Sequence, residues 1–167
     1  NAAFDGRLGE PGLCSSLIGI YAFAWQIYGD FSGYSDIARG SARLLGFELS
    51  RNFDFPFLAR GPSDFWRRWH ISLSSWLRDY LFIPLGGSHG TKAQTLRNLV
   101  ITMFLGGLWH GASWTFVIWG LYHGALLAGH AVLSARGAVP KSRTVSVALT
   151  FVAVMIGWVF FRAESLP

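Results

Sequence analysis

Long apolar runs alternate with polar breaks along this chain of 167 residues. A helix needs about 20 apolar residues to cross the hydrocarbon core of a bilayer. Four runs reach or approach that length, and they predict membrane-spanning helices near 13–29, 96–111, 114–134 and 144–162. We therefore expect an all-α, polytopic transmembrane protein with about four spans plus interfacial or re-entrant helices.

The region 31–95 between the first two spans is too polar to face lipid throughout and too aromatic for a disordered loop. A helix is predicted to begin at Ser63, which can cap it directly after Pro62. Aromatic and apolar side chains recur there at helical spacing and share one predicted face: Phe65, Trp69, Leu73, Trp76 and Tyr80. Trp and Tyr favour the water–lipid boundary, so this segment is predicted to be interfacial or partly inserted. A short helix is also predicted at 36–47.

Composition supports a membrane protein, because 51% of the residues are hydrophobic and only 14% are charged, against about a quarter charged in soluble domains. The formal charge is +5. The basic residues lie at the edges of the apolar runs, which favours contact with membrane lipids over nucleic acid. Their concentration in 51–97 and 136–143 predicts that these two regions face the cytoplasm. Because the chain starts at Asn1 and stops just after an apolar run, we expect it to be a fragment of a longer protein.

His110 is predicted at membrane depth among small residues such as Gly107 and Gly111. An ionisable side chain there usually faces a protein interior or a water-filled cavity. A neutral imidazole is a competent general base near neutral pH. The alternative is a neutral, hydrogen-bonded packing residue, which remains open for His110 and is favoured for His123. Packing or turn roles are also expected for His89 and His130.

A second candidate, His70, follows Arg67 and Arg68 in the segment RRWHISLS. Two guanidinium groups can bind phosphate through planar, bidentate contacts, as a CoA thioester or a phosphopantetheinyl group would require. The alternative is that both Arg side chains extend to lipid headgroups. No GxSxG or HExxH motif and no Cys/His zinc spacing is present, so hydrolase and metal chemistry have no motif in the sequence.

Three long segments together resemble the membrane-bound O-acyltransferase family, in the branch of the alginate O-acetyltransferase membrane subunit. They are YGDFSGYSDIARGSARLLGF, NFDFPFLARGPSDFWRRWHISLSSWLRDYLFIPLGG and LGGLWHGASWTFVIWGLYHG. The D-alanyl transfer protein of teichoic acid synthesis is a related branch. The resemblance implies that the chain, 1–167, is the central to C-terminal part of one such domain.

The resemblance also implies roles for particular residues. The histidine of the WHG motif, His110, would be catalytic, and the second signature position would be His70. Arg67 and Arg68 would help to hold the donor, and Trp69 and Trp109 would line the channel. No bound cofactor or metal is implied, since the acyl thioester, acetyl-CoA or an acyl carrier, would be a substrate.

The implied reaction moves an acetyl group from a cytoplasmic thioester toward hydroxyls of an exported, alginate-like polysaccharide. The implied location is the bacterial inner membrane, with multiple spans, and the implied partners are a periplasmic acetyltransferase and a polysaccharide secretion complex. Three alternatives stay open: D-alanyl transfer to teichoic acid by the same fold, a transporter-like fragment without acyl turnover, and a docking relative without catalysis.

Overall fold

The computed structural model describes residues 12–163, which fall into two compact units that divide between Leu49 and Ser50. These residues form six α-helices joined by turns and short 3₁₀ and π-helical segments, and the described part of the chain contains no strand. The expected all-α fold is confirmed. The ends of the predicted domain, 1–11 and 164–167, lie outside the described residues.

The first unit contains one long helix, α1, Leu13–Leu44. The sequence pattern predicted a span at 13–29 followed by a separate helix at 36–47, and this division is wrong. The polar interval contains Gly29, Asp30 and Gly33 but no proline. Each of these residues lowers helix stability only modestly, whereas proline removes a backbone donor and clashes with the preceding turn.

The second unit is built on three helices, α4, Lys92–His110, α5, Trp114–Ala135, and α6, Arg143–Arg162. Among the described residues, α5 and α6 are long and apolar enough to cross a membrane. Helices are also present where spans were predicted at 13–29 and 96–111, within α1 and α4.

Side-chain caps fix where these three helices begin. At α4 the hydroxyl of Thr91 accepts from the backbone N–H of Gln94 at 3.2 Å, and the Gln94 side chain accepts from the Thr91 N–H at 2.7 Å. Ser113 accepts from the N–H of Thr115 at the start of α5. Such caps satisfy backbone donors that have no partner within the helix. They therefore set the position of each helix along the chain.

Between α1 and α4 the chain forms four short elements. They are a 3₁₀ turn (Pro56–Leu58), α2 (Pro62–Trp66), α3 (Ile71–Leu77) and a π-helical turn (Arg78–Phe82). The prediction of one helix capped by Ser63 is wrong. Gly61 is the N-cap and Pro62 is the first helical residue, a position where proline's missing N–H is harmless.

The predicted helix is interrupted over residues 67–70, and the last residue of this break is His70. Its backbone has φ 44° and ψ 55°, the left-handed conformation, and it separates α2 from α3. The five residues predicted to share a face are therefore divided: Phe65 and Trp69 are buried, whereas Trp76 and Tyr80 are exposed. A turn that begins at Ile83 and includes Pro84 ends the segment.

Helices α4 and α5 approach closely through glycine. A Cβ atom on Gly107 would collide with the backbone oxygen of Phe116, and one on Gly120 would collide with that of Met103. Small residues allow such backbone contact between helices in membranes. The close contact brings the last residue of α4, His110, against side chains of α5.

Candidate active site

His110 lies at the point where the chain turns from α4 into α5. Gly111, the next residue, has φ +156°, and a Cβ atom there would lie 2.9 Å from the ring of Phe116. Glycine therefore permits both the backbone turn and the close approach of the phenyl ring. The position of His110 is set by a helix end rather than by a flexible loop.

Aromatic rings surround the half-buried imidazole of His110. The rings of Trp119 and Phe161 meet it edge to face, with centroids 5.1 and 5.0 Å away, and Phe116 lies at 5.9 Å. His110 makes no hydrogen bond with the described residues. The ring is thus held by aromatic packing rather than by hydrogen bonds.

His70 lies at the N-terminus of α3 and is also half-buried. Its Nδ1 lies 3.4 Å from the side-chain oxygen of Asn52 and 3.5 Å from the hydroxyl of Ser72. Burial, with a smaller contribution from nearby His110, lowers the pKa of His70 from 6.5 to about 4. Its imidazole is therefore neutral at physiological pH.

The indole of Trp109 contacts both histidines. Its centroid is 6.4 Å from that of His70 and 5.1 Å from that of His110. Trp109 is 60% exposed. Residues from the two separate sequence segments RWHIS and LWHG therefore meet at one face of the second unit.

The other candidate residues occupy different environments. Arg68 donates to the carboxylate of Asp64 at 2.8 Å and to the backbone oxygen of Asp54 at 3.3 Å. Arg67 is exposed, makes no hydrogen bond with the described residues, and lines a cavity of about 670 Å³ together with Arg78. The two adjacent arginines do not form a common clamp in this structure.

Trp69 lies in the packed interior and is 4% exposed. Its ring stacks on Phe65 at 5.6 Å and contacts Trp158 at 4.9 Å. These contacts connect the short helix α2 to α6. Its placement is that of a core residue.

Two aspartates have ion-pair partners close by in the sequence: Asp36 pairs with Arg39 at 3.3 Å, and Asp79 pairs with Arg78 at 2.7 Å. Both partners are within three residues in sequence. Neither aspartate pairs with Arg67 or Arg68. The Asp36–Arg39 pair has the i, i+3 spacing that brings two side chains together on a helix surface.

The remaining histidines lie away from this face. His123 is 1% exposed and packs against Trp66 and Trp119, with centroids 5.1 and 4.9 Å away. His89 is exposed in a turn, and His130 packs against Gly61. Among residues 12–163 no group of three His, Cys, Asp or Glu side chains is placed to hold a metal ion.

Sequence reasoning missed the groups that orient the two histidines. Phe116 and Trp119 lie three residues apart on α5, and their helical spacing after WHG was a readable signal. Asn52 and Ser72 lie within a segment that carries the resemblance, but nothing local marks their pairing. Phe161 lies on α6, and only the packed structure brings it to His110.

Comparison with known proteins supports the family resemblance seen in the sequence, over nearly the whole chain. Residues 14–164 match the membrane-bound O-acyltransferase family. A probable alginate O-acetylase of Azotobacter vinelandii is 51% identical over 159 residues, which cover 95% of this chain and 32% of the relative. A peptidoglycan O-acetyltransferase of Helicobacter pylori is 43% identical over 150 residues, which cover 87% of this chain and 28% of the relative.

A more distant relative is a teichoic acid D-alanyltransferase of Bacillus subtilis, 33% identical over 123 residues, which cover 69% of this chain and 31% of the relative. The chain thus spans about a third of the length of the curated relatives that it matches. The family match nevertheless includes both histidine segments. The chain belongs to the membrane-bound O-acyltransferase family.

Proposed function

We propose that this chain is the catalytic part of a membrane O-acyltransferase that moves an acetyl group from a cytoplasmic thioester toward hydroxyls of an exported, alginate-like polysaccharide. The observation that carries the proposal is the meeting of His70 and His110 at Trp109. The names of the more similar relatives, which are O-acetylases, support acetyl as the transferred group.

His110 is the proposed general base. Edge-on contacts with Trp119 and Phe161 hold its ring without using its nitrogen lone pairs. A ring nitrogen takes the proton of the acceptor hydroxyl, and the hydroxyl oxygen attacks the thioester carbonyl. The carbon–sulfur bond then breaks, and the thiolate leaves and takes up the proton. A correctly placed base accelerates such a step by about 10²–10⁴-fold.

His70 is proposed to line the same site from the other side of Trp109, as an acid/base partner or by positioning the thioester. Arg67 is proposed to hold a phosphate of the donor or of its carrier, since it has no hydrogen-bond partner among the described residues. Arg68, which is paired with Asp64, would act by fixing the turn that carries Arg67. Trp109 would form one wall of the channel.

The proposed donor is acetyl-CoA or an acyl carrier, and no bound cofactor or metal is required. The proposed location is the bacterial inner membrane, with multiple spans. The proposed partners are a periplasmic acetyltransferase and a polysaccharide secretion complex. All of these belong to the full-length parent protein, of which this chain is one part.

The test uses the full-length parent protein in cells that lack their own polysaccharide acetylase. Alkali-labile esters on the exported polymers are released and identified as acetate or D-alanine. Acetate is the expected product. D-alanine would instead support the teichoic acid alternative, and the absence of both esters at normal protein level would contradict an acyltransferase function and favour a transporter-like role.

A further inference from the structure

Asn52 lies 18 residues before His70 but contacts the start of the helix that His70 precedes. The backbone oxygen of Asn52 accepts from the N–H of Ile71 at 2.9 Å. Its side-chain oxygen accepts from the N–H of Ser72 at 3.1 Å. Asn52 therefore satisfies the first two backbone donors of α3, which the imidazole of His70 does not cap.

These contacts determine which atom of the Asn52 amide faces His70. A backbone N–H can only donate, so the side-chain atom that receives the Ser72 N–H is the oxygen. The Ser72 hydroxyl also donates to this oxygen, at 2.8 Å. The orientation of the amide is thus fixed by two donors that are independent of the histidine.

The protonation pattern of His70 follows from this orientation. Because the Asn52 oxygen can only accept, the His70 Nδ1 that lies 3.4 Å from it must carry the hydrogen. Because the Ser72 hydroxyl donates its hydrogen to Asn52, its oxygen is also an acceptor for the Nδ1 hydrogen, with the two heavy atoms 3.5 Å apart. A neutral imidazole has one N–H, so the lone pair of its ring lies on Nε2.

We propose that Asn52, held by Ser72, is a positioning residue that fixes His70 in the Nδ1–H tautomer and makes Nε2 the basic atom that this ring offers to the active site. The catalytic consequence of this inference rests on the proposed function. It adds to that function the atom of His70 that accepts a proton or a hydrogen bond, Nε2. The left-handed backbone of His70 is the strained feature that this arrangement maintains.

A purely structural reading is that Asn52 only caps α3. The two readings differ in what Asn52→Asp does. An aspartate has the same shape and accepts the same three hydrogen bonds, so it preserves the cap. It also places a negative charge beside Nδ1–H, which stabilises the imidazolium and raises the pKa of His70 by about one unit or more. The two causes of the low pKa of His70, its burial and the nearby His110, are unchanged in this variant.

The experiment measures the reaction of His70 with diethyl pyrocarbonate in the detergent-purified full-length parent protein. The reagent modifies only the unprotonated imidazole, and peptide mass spectrometry reports His70 separately from the other histidines. In wild type we expect His70 to stay reactive down to about pH 5. In Asn52→Asp we expect the midpoint of reactivity to lie about one pH unit or more higher.

Asn98→Asp is the matched control. Asn98 is buried and donates to the backbone oxygens of Leu85 and Gly87 at 3.0 and 3.2 Å, so its loss disturbs the same unit without touching His70. We expect it to lower thermal stability and to leave the His70 midpoint unchanged. An Asn52→Asp midpoint equal to that of wild type overturns the inference.

Activity provides a second measurement. Losing one orienting hydrogen bond costs about 2–10-fold, so Asn52→Ala should lower acetyl transfer by at least that amount. Asn52→Asp should recover transfer at pH 8. As the pH is lowered, this variant should lose transfer at a higher pH than wild type does. Equal losses in the two variants at every pH overturn the inference. Because the chemical modification needs no turnover, a shifted midpoint in a protein without acetyl transfer supports the positioning and rejects the proposed function.

Discussion

The imidazole of His70 meets the indole of Trp109 edge to face, with ring centroids 6.4 Å apart and ring planes at 70°. Trp109 directly precedes His110 at the end of α4. The contact therefore joins the two histidine segments of the chain. It also makes Trp109, which is largely exposed in this chain, a candidate for orienting both rings.

We predict that Trp109→Ala lowers acetyl transfer by about 2–10-fold, the amount expected from losing one aromatic contact of about 0.5–1.5 kcal/mol. Stability should change little because the side chain is mostly exposed. Transfer per folded molecule is the quantity to measure. Trp114→Ala is the control, since Trp114 is 72% exposed and should retain full transfer. Equal transfer in the two variants would reject a role for Trp109.

The low pKa of His70 predicts a pH dependence of stability. Its pKa is about 4 in the folded protein, against 6.5 ordinarily. Between these values the unfolded chain binds more protons than the folded one, so acidification from about pH 6.5 toward 4 destabilises the fold. His70→Gln should remove this contribution. Thermal unfolding of the purified parent at pH 7.5 and 5 tests this, and the fall in Tm should be smaller in the variant than in wild type.

The close contact of α4 and α5 predicts that Gly120→Ala is destabilising. A Cβ atom there would meet the backbone of Met103, which cannot move independently of its helix. Overpacking of this kind costs about 1–3 kcal/mol. Gly129→Ala on the same helix is the control, because a Cβ atom there meets nothing within 4 Å and helix propensity favours alanine. A lower Tm in Gly129→Ala than in Gly120→Ala would contradict this packing.

Gly111→Ala is predicted to reduce activity more than it reduces stability. The substitution strains a backbone at φ +156° and forces the new methyl against Phe116, which contacts His110. The imidazole should therefore be displaced. Gly137→Ala separates the two effects, since Gly137 also has a positive φ, +68°, but a Cβ atom there meets nothing. It should lower Tm while leaving transfer per folded molecule unchanged.

The helices could be predicted from the sequence because long apolar runs indicate segments that are buried or that face lipid. Runs at 114–134 and 144–162 match α5 and α6 within one residue. The pattern failed where an interaction distant in sequence decides the structure. After the break at His70, the N–H groups of Ile71 and Ser72 donate to Asn52, and no local periodicity shows that an asparagine will cap a helix so far along the chain.

The candidate site was predictable in part. The motifs RWHIS and LWHG mark His70 and His110 in the sequence, and the structure brings both to the same tryptophan. The rings that orient His110 were not predicted in full, because Phe161 lies 51 residues further along the chain. Arg67 and Arg68 look equivalent in the sequence, but they differ in the structure because Asp64, one helical turn before Arg68, reaches only that guanidinium.

The most direct test of the central claim compares His110→Ala with His89→Ala in the full-length parent protein, expressed in cells without their own acetylase. His89 is an exposed turn histidine, so its loss controls for the substitution itself. Ester-linked acetyl on the exported polysaccharide is measured at membrane levels matched by immunoblot. The proposed chemistry predicts a loss of about 100-fold or more for His110→Ala and wild-type acetyl for His89→Ala. Unchanged acetyl in His110→Ala would contradict the assignment and leave His110 as a packing residue.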